Sequence, residues 1–399
     1  MRLEVGGKHY GGFNGASLAI RLDQLCNTFS FEAIDAKASG LPFVAGESCR
    51  VFVDGEQQAS GYIEKVSVSG DAGSHSIKIE GRDRTADLVD GVIGSLSDFK
   101  APISLSVIIK AVISHLGADI RVVDYAQPEP FNVAEDIAAP EPGDNAFAFL
   151  EALARKRQVI LGSDGLGRVA IFSGKGRRTG GAILHRRDDV ENNVLSYSVG
   201  YDHTGRFGRY LVLGQPNPAV GASFLGADTT VANVKPAAVA TDTGARVGRQ
   251  YVIAGESATS EGESIKRATW EAKIRRARAA TYSATVHGYR DQKGDLWTVN
   301  TAPAVEDDYA GISGRMLINS VAFTMSARGQ GRTTNLGFIE EGAYVLSMTE
   351  SPGTKKGKGV AWEGLESYVK KAKNAVNEAV GSTLEDTSPT LGDDVEGEW

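Results

Sequence analysis

The stretch GESCRVFVDGEQQASGYIEKVSVSGDAGSHSIKIEGRDRTADLVD, residues 46–90, has the grammar of a small antiparallel barrel. Val51 and Val53, then Ile63, Val66 and Val68, then Ile77 and Ile79 lie on short runs of β-favouring residues. Asp54-Gly55, Gly61 and Ser69-Gly70-Asp71 separate these runs with turn chemistry. An apolar period near two describes strands that cover a core on one side only. Upstream, Leu18, Ile20 and Leu22 alternate, followed by Phe29, Phe31 and Ala33, so residues 1–45 read as the opening strands of the same unit. The turn Asp83 to Asp90 closes it.

A variant of this unit recurs between Tyr282 and Glu341, and internal repeats organise a fold more than any single element does. Tyr282 to Val286 echoes Phe29 to Ala33, Gly294 to Val299 echoes Gly46 to Val51, and Gly314 to Val321 echoes Gly61 to Val66. Asn335 to Glu340 then stands where Ser76 to Glu80 stood. The match is one of pattern rather than identity. It implies a mainly β protein: two related antiparallel β-barrels, residues 1–90 and 186–349, separated by a small α/β domain.

That domain occupies residues 91–185. Leu105, Ile108, Ile109, Val112 and Leu116 form one helical face that Gly117 ends. A strand over Ile120–Asp124 follows, then a loop rich in proline and acid. A second helix starts with Asp144 or Asn145 as N-cap and buries Phe147, Leu150, Leu153 and Ala154. The hairpin Val159–Leu161 and Arg168–Phe172 completes the domain. Between Arg209–Leu213 and Gln250–Ile253 runs a long segment rich in Gly, Ala, Pro and Thr, a length that marks a functional loop or a cover for a partner. Ser264 is placed as the cap of a basic helix ending near Ala280, with Ile265, Ala268 and Ala272 as its small apolar face.

Residues 350–399 differ in character. After a Lys- and Gly-rich linker, Trp362, Leu365, Val369, Ala372, Val376 and Ala379 step by three and four, a short coiled-coil seam or a helix that docks on the body. Residues 384–399 are acidic without a base and end on Trp399; composition reads them as disordered until bound. Trp362, Leu365, Val369, Ala372, Val376, Ala379 and Trp399 are therefore the candidate oligomer or partner interface.

Composition narrows the function. The 399 residues suggest about two to four domains. A hydrophobic fraction of 41% supports buried cores, and 48 glycines suit an all-β chain with many turns. A net charge of −7 gives no overall basic footprint for nucleic acid or acidic lipid. No apolar signal core opens the chain and no run of about 18 apolar residues occurs, so a soluble, cytosolically made chain is expected. Cys26 and Cys49, both assigned to strand-like runs, read as reduced and buried rather than as a disulfide or metal site.

Enzyme chemistry is missing. The six histidines are scattered without HExxH or a close pair, and there is no GxSxG elbow. Gly174-Lys-Gly-Arg-Arg-Thr-Gly180 lacks the GK[ST] order of a phosphate loop and reads as a hairpin turn with solvated bases. Glu80, Asp83, Asp87 and Asp90, or Glu141 with Asp144, could do acid–base work, but capping at strand ends by Asp83 and Asp87 is the simpler reading. The basic helix, with Lys266, Arg267, Lys273, Arg275, Arg276 and Arg278, reads as solvated or subunit-facing before it reads as a nucleic-acid surface. No catalytic, cofactor-binding or metal residue is assigned.

Taken in order, Gly61-Tyr-Ile63 with Gly81 to Asp90, Gly143 to Arg157, Gly165 to Ile171, Arg267 to Ala272, Val286 to Tyr289, Gly294 to Trp297 and Met316 to Ile318 resemble the baseplate hub family of contractile phage tails, the Mu type most closely. The late control protein D family and the N-terminal part of the VgrG secretion spike are more distant relatives. The resemblance covers residues 1–348. It implies a structural, non-enzymatic homotrimer in which each chain supplies two tube-like barrels, six in a ring. Such a ring presents sixfold symmetry to a tail tube and threefold symmetry to a membrane-piercing spike. The implied partners are the spike protein, the tail tube and other baseplate proteins. DNA passes through the lumen unrecognised, no membrane insertion is stable, and the location is the virion baseplate after assembly in the host cytoplasm. The alternatives are a hub-associated cell-wall hydrolase, a VgrG-like spike component and a nucleic-acid-binding module. The segment after residue 350 departs from the family pattern.

Overall fold

A computed structural model describes residues 1–35, 43–70, 75–96, 99–132, 137, 139–185, 192–213, 236–253, 261–327 and 329–344. The first half holds β1 (Arg2–Val5), β2 (Lys8–Tyr10), β3 (Gly15–Arg21), β4 (Thr28–Asp35), β5 (Ser48–Val53), β6 (Glu56–Gly70) and β7 (His75–Asp83). Then come α1 (Ala86–Asp90), α2 (Leu105–Leu116), β8 (Arg121–Asp124), α3 (Ala146–Lys156), β9 (Ile160–Ser163), β10 (Arg168–Phe172) and β11 (Arg177–His185). The second half adds β12 (Val194–Tyr201), β13 (Arg209–Leu213), β14 (Pro236–Thr241), β15 (Gln250–Ile253), α4 (Glu261–Arg278), β16 (Ala280–His287), β17 (Thr301–Asp307), β18 (Ile312–Ser326) and β19 (Gly331–Glu340).

Thirteen strands form one sheet, in the order β12-β16-β19-β18-β3-β4-β7-β6-β5-β1-β2, with β17 against β18 and β11 against β17. The expected pair of antiparallel barrels is not seen as two separate closed units: among the described residues no ladder closes either half on itself. The reason is the seam between β18 and β3, where Val321 pairs with Ile20 and Phe323 with Leu18 and the two halves become one surface. One apolar core runs beneath it, from Phe29, Phe31 and Val51 to Tyr282, Met316, Phe323 and Phe338.

The repeat is nevertheless written in the hydrogen-bond register. Phe29 faces Gly81 across β4 and β7 as Tyr282 faces Phe338 across β16 and β19. Both β6 and β18 are 15 residues long, and each carries a one-residue slip at the corresponding point, between Ile63 and Lys65 and between Ile318 and Ser320. Past the slip Val66 pairs with Ile79 as Val321 pairs with Leu336. The Phe29/Tyr282 and Val66/Val321 correspondences therefore hold. Those of Gly61 with Gly314 and of Ser76 with Asn335 are each displaced by two residues, because alternation of period two fits equally well after a shift of two. Gly294 to Val299 lies outside any strand, and the counterpart of β5 is β17.

Gly81 and Gly61 mark where the first half packs most closely. A Cβ on Gly81 would lie 2.2 Å from the Phe29 ring, and one on Gly61 would lie 1.9 Å from the Arg82 carbonyl. In the second half Phe338 stands at the Gly81 position and meets Tyr282 ring to ring at 5.8 Å.

The middle segment combines helices with a small sheet of its own. α2 ends at Gly117 in the left-handed region, and Asn145 caps α3 by accepting from the Ala148 N–H at 2.9 Å. β10 lies between β8, parallel, and β9, antiparallel. Leu105, Ile108, Ile109, Val112, Leu150 and Leu153 bury a separate core against Val169 and Ile171. A third sheet, β14-β13-β15, rests on α4 through Val212, Ala238, Ile253 and Ala268. Cys26 lies in a loop, not a strand, while Cys49 is on β5.

Candidate assembly surface

Trp362, Leu365, Val369, Ala372, Val376, Ala379 and Trp399, the interface expected from sequence, lie outside the described residues, as does most of the long segment after Leu213. What the structure brings together instead is the seam. β3 and residues 320–326 of β18 pair antiparallel over seven residues, and the ladder is extended by Leu22 N–H to the Asn319 carbonyl and Ala327 N–H to the Asn14 carbonyl, both at 2.8 Å. Leu18, Ile20, Val321 and Phe323 are buried along it. Composition gave no hint of this contact, which joins residues about 300 apart in sequence; the bulged 15-residue strand is its nearest sequence signal.

The middle unit is held to the first half at a buried polar junction. Asp83, at the end of β7, is fully buried; its Oδ1 accepts from the Thr85 N–H at 3.2 Å and bonds the Thr85 hydroxyl. Burial pushes its carboxyl up, and the Ser163 and Thr85 hydroxyls oppose that only in part. The turn between β9 and β10 lies on the β6 backbone so closely that a Cβ on Gly165 would be 2.7 Å from the Gln58 carbonyl and one on Gly167 2.8 Å from that of Ser60. Arg84 reaches Asp119 at 2.7 Å across the same junction. Desolvation pushes both thiols, Cys26 and Cys49, up to about 12, so neither is a nucleophile at neutral pH.

The basic helix, expected to be solvated or subunit-facing, packs one face against its own chain. It spans Glu261–Arg278, with Ser264 buried inside it rather than capping it, and Ile265 exposed rather than packed. Its inward face is Trp270, Ile274 and Ala277, spaced by four and three, with Ala268 beside them, a pattern that the charges around it concealed. The Trp270 indole donates to the Tyr344 carbonyl at 3.1 Å. Glu271 accepts from Arg267 at 2.7 Å and from Arg275 at 2.6 Å, and Arg275 stacks over Tyr251 at 3.8 Å. Nearby, Arg206 holds Asp242 through two bonds of 2.6 and 2.8 Å. Burial pushes both Asp242 and Glu271 up, but their arginines outweigh it and hold each below the ordinary carboxylate range.

Of the carboxylates weighed for acid–base work, Glu80, Asp90 and Asp144 are engaged locally. Lys78 reaches Glu80 at 2.8 Å, Arg82 bonds Asp90 at 3.1 Å, and Asp144 accepts from the Glu141 N–H at 2.8 Å within a turn. His185 meets buried Asp307 at 3.0 Å, but the hydroxyl on that carboxylate belongs to Tyr282, whose phenol burial pushes upward. Among the described residues no group of three or more His, Cys, Asp or Glu could hold a metal, and no helix is long and apolar enough to cross a membrane. Gly174 to Gly180 runs directly into β11 without opening a helix.

A duplicated sheet joined along an internal seam, with an α/β unit clamped beside it, is a fold that solved phage tail proteins share. Residues 1–83 match the family model for the N-terminal region of the Mu phage baseplate assembly protein GpP-like proteins, and residues 260–346 match that for the fourth domain of GpP. The chain is 23% identical over 365 residues to the baseplate hub protein gp44 of Escherichia phage Mu, covering 89% of this chain and 91% of that protein. Its fold superposes on the 43 kDa tail protein of prophage MuSo2 from Shewanella oneidensis with a TM-score of 0.70 at 26% identity, covering 86% of this chain and 98% of that one. It also superposes on the tail protein from Neisseria meningitidis MC58 with a TM-score of 0.71 at 20% identity, covering 86% and 97%. These matches place Mu phage baseplate GpP-like domains at residues 1–83 and 260–346 and make the chain a homologue of a Mu baseplate hub protein.

Proposed function

We propose that three copies of this chain form the hub ring of a contractile tail baseplate, joining the tail tube on one face to a membrane-piercing spike on the other. The observation that carries this reading is the matched register of the two half-sheets, slip for slip. A chain that contains two equivalent units makes a threefold assembly nearly sixfold where those units lie, and threefold where α4 and the middle unit break the equivalence. The role is structural. The hub makes no specific contact with DNA, which passes through the lumen, and takes no stable place in a membrane; other baseplate proteins surround it after assembly in the host cytoplasm.

Four units carry the work: 1–90 and 186–349 build the ring, 91–185 braces the first of them, and 350–399 supplies linker, amphipathic helix and acidic tail. Trp362, Leu365, Val369, Ala372, Val376 and Ala379 bundle about the threefold axis or pack under the ring, and the end at Trp399 touches the spike or a neighbour. Light scattering on the full-length chain across a concentration range tests the ring: three times the chain mass supports it, and a monomer throughout counts against it. A muralytic assay on the same sample is expected to give no lysis.

A further inference from the structure

Within the chain, one side of β18 is shared end to end: β17 pairs with residues 312–315 and β3 with residues 320–326. The corresponding side of β6 is only half used. β5 pairs with residues 56–62, and among the described residues no strand pairs with the side of residues 64–70 that faces away from β7. At the far end of the sheet, β12 pairs with β16 alone. β12 is the counterpart of β3, because Leu18 faces Phe29 as Val199 faces Tyr282. The molecule therefore carries a complete seam in its middle and the two separated halves of a second one.

Burial tells the same story. Val321 and Phe323 are 1% and 0% exposed under β3, whereas Val68, the counterpart of Phe323, is 47% exposed. Leu18 and Ile20 are 0% and 6% exposed, whereas Tyr201, the counterpart of Ile20, is 44% exposed. Soluble proteins protect open edges with charge, proline or shortness. β2 follows that rule, being three residues long with Lys8 at its start. β12, VLSYSVGY, and residues 66–70, VSVSG, carry neither charge nor proline.

We infer that β12 of one copy pairs antiparallel with residues 65–70 of β6 in a second copy, setting Val199 opposite Val68 and Tyr201 opposite Val66, so that the β3–β18 seam is repeated between chains. The inference rests on the ring reading and supplies its contact. The register follows by carrying Leu18–Phe323 and Ile20–Val321 onto their counterparts. It also brings Asp202, just past β12, opposite Lys65, an opposite-charge pair that a one-residue slip would lose. Because each chain has one donor edge and one acceptor edge, the contact is head-to-tail, and under the threefold symmetry of the proposed ring three such contacts close it.

The test uses the full-length chain carrying Val68→Cys and Val199→Cys, oxidised and run on a non-reducing denaturing gel. Covalent species at two and three times the chain mass are expected. An equimolar mixture of the two single variants is expected to stop at the dimer. Glu56→Cys with Val199→Cys, which places one thiol on the side already taken by β5, and the parent chain with its two native cysteines are expected to stay monomeric on the gel. Val68→Glu, at a site exposed in the single chain, is expected to abolish assembly without changing the far-ultraviolet circular dichroism. A trimeric mass in solution with no Val68–Val199 cross-link, or with assembly retained in Val68→Glu, overturns the seam and leaves the ring standing. A parent chain that is monomeric at every concentration overturns both.

Discussion

Gly81 shows how one residue type can separate two copies of the same element. It admits the Phe29 ring, where its counterpart Phe338 meets Tyr282 as a ring of its own. Gly81→Ala is expected to lower stability by about 1–3 kcal/mol, read as a shift in urea midpoint, because backbone as well as the ring must give way. Gly11→Ala, whose Cβ meets nothing within 4 Å, is expected to stay within about 0.5 kcal/mol. The buried pair of Arg206 and Asp242 makes the opposite kind of prediction. Removing one partner, as in Arg206→Met, leaves a charge in the interior and is expected to cost about 3–5 kcal/mol in the same assay.

The pH dependence follows from the same carboxylates. Asp242 and Glu271 are held below their ordinary values of 3.8 and 4.5, so the stability they contribute is present above those values and is lost as pH falls through the folded-state values. Urea midpoints measured downward from pH 6 are expected to fall through the acid range, and to fall less steeply in Glu271→Gln. Asp83 has the other sign: its carboxyl is raised by burial, so its contribution is present at low pH and lost as pH rises through the folded value.

At the scale of elements, α4 is the instructive case. Six of its residues are basic, yet Arg267 and Arg275 pair with Glu271 and Arg276 pairs with Glu340, so much of its charge is used within the molecule. What holds it is Trp270, buried against Leu317, Ile339 and Tyr344. Trp270→Ala is expected to cost about 3–5 kcal/mol and to free α4 from the sheet, measurable as faster amide exchange along Glu261–Arg278. Ile265→Ala, on the exposed face, is expected to leave both unchanged. A salt-dependent DNA retention assay is expected to find no more than weak, non-specific binding.

At the scale of the whole molecule, a continuous thirteen-stranded sheet is a harder object to assemble than two small barrels, since its central ladder joins Gly15–Arg21 to residues 320–326. Contacts of that sequence separation slow folding, and the open β12 and β6 edges are exposed until they find partners. Removing residues 350–399 is expected to leave the described fold intact by circular dichroism. If that segment bundles about the threefold axis, the truncated chain will dissociate at a higher concentration than the full chain in light scattering; equal dissociation would place assembly in the sheet edges alone.

The sequence by itself determined the local elements and the existence of the repeat. Alternation at Leu18 to Leu22, helical spacing at Leu105 to Leu116 and the Asn145 cap are short-range physics, in which neighbours along the chain decide the outcome. The correspondence of Phe29 with Tyr282 was legible for the same reason. The tertiary structure alone decided how the halves meet. The slips at Glu64 and Asn319 shift register without altering composition, so no pattern announces them. Whether a strand closes its own barrel or takes β3 from 300 residues away depends on which edge is free in space, a property of the folded sheet. Burial of Arg267 and Asp83, and the exposure of Val68 beside the buried Phe323, belong to the same class. Each is set by what lies across the sheet rather than by what lies next in the chain.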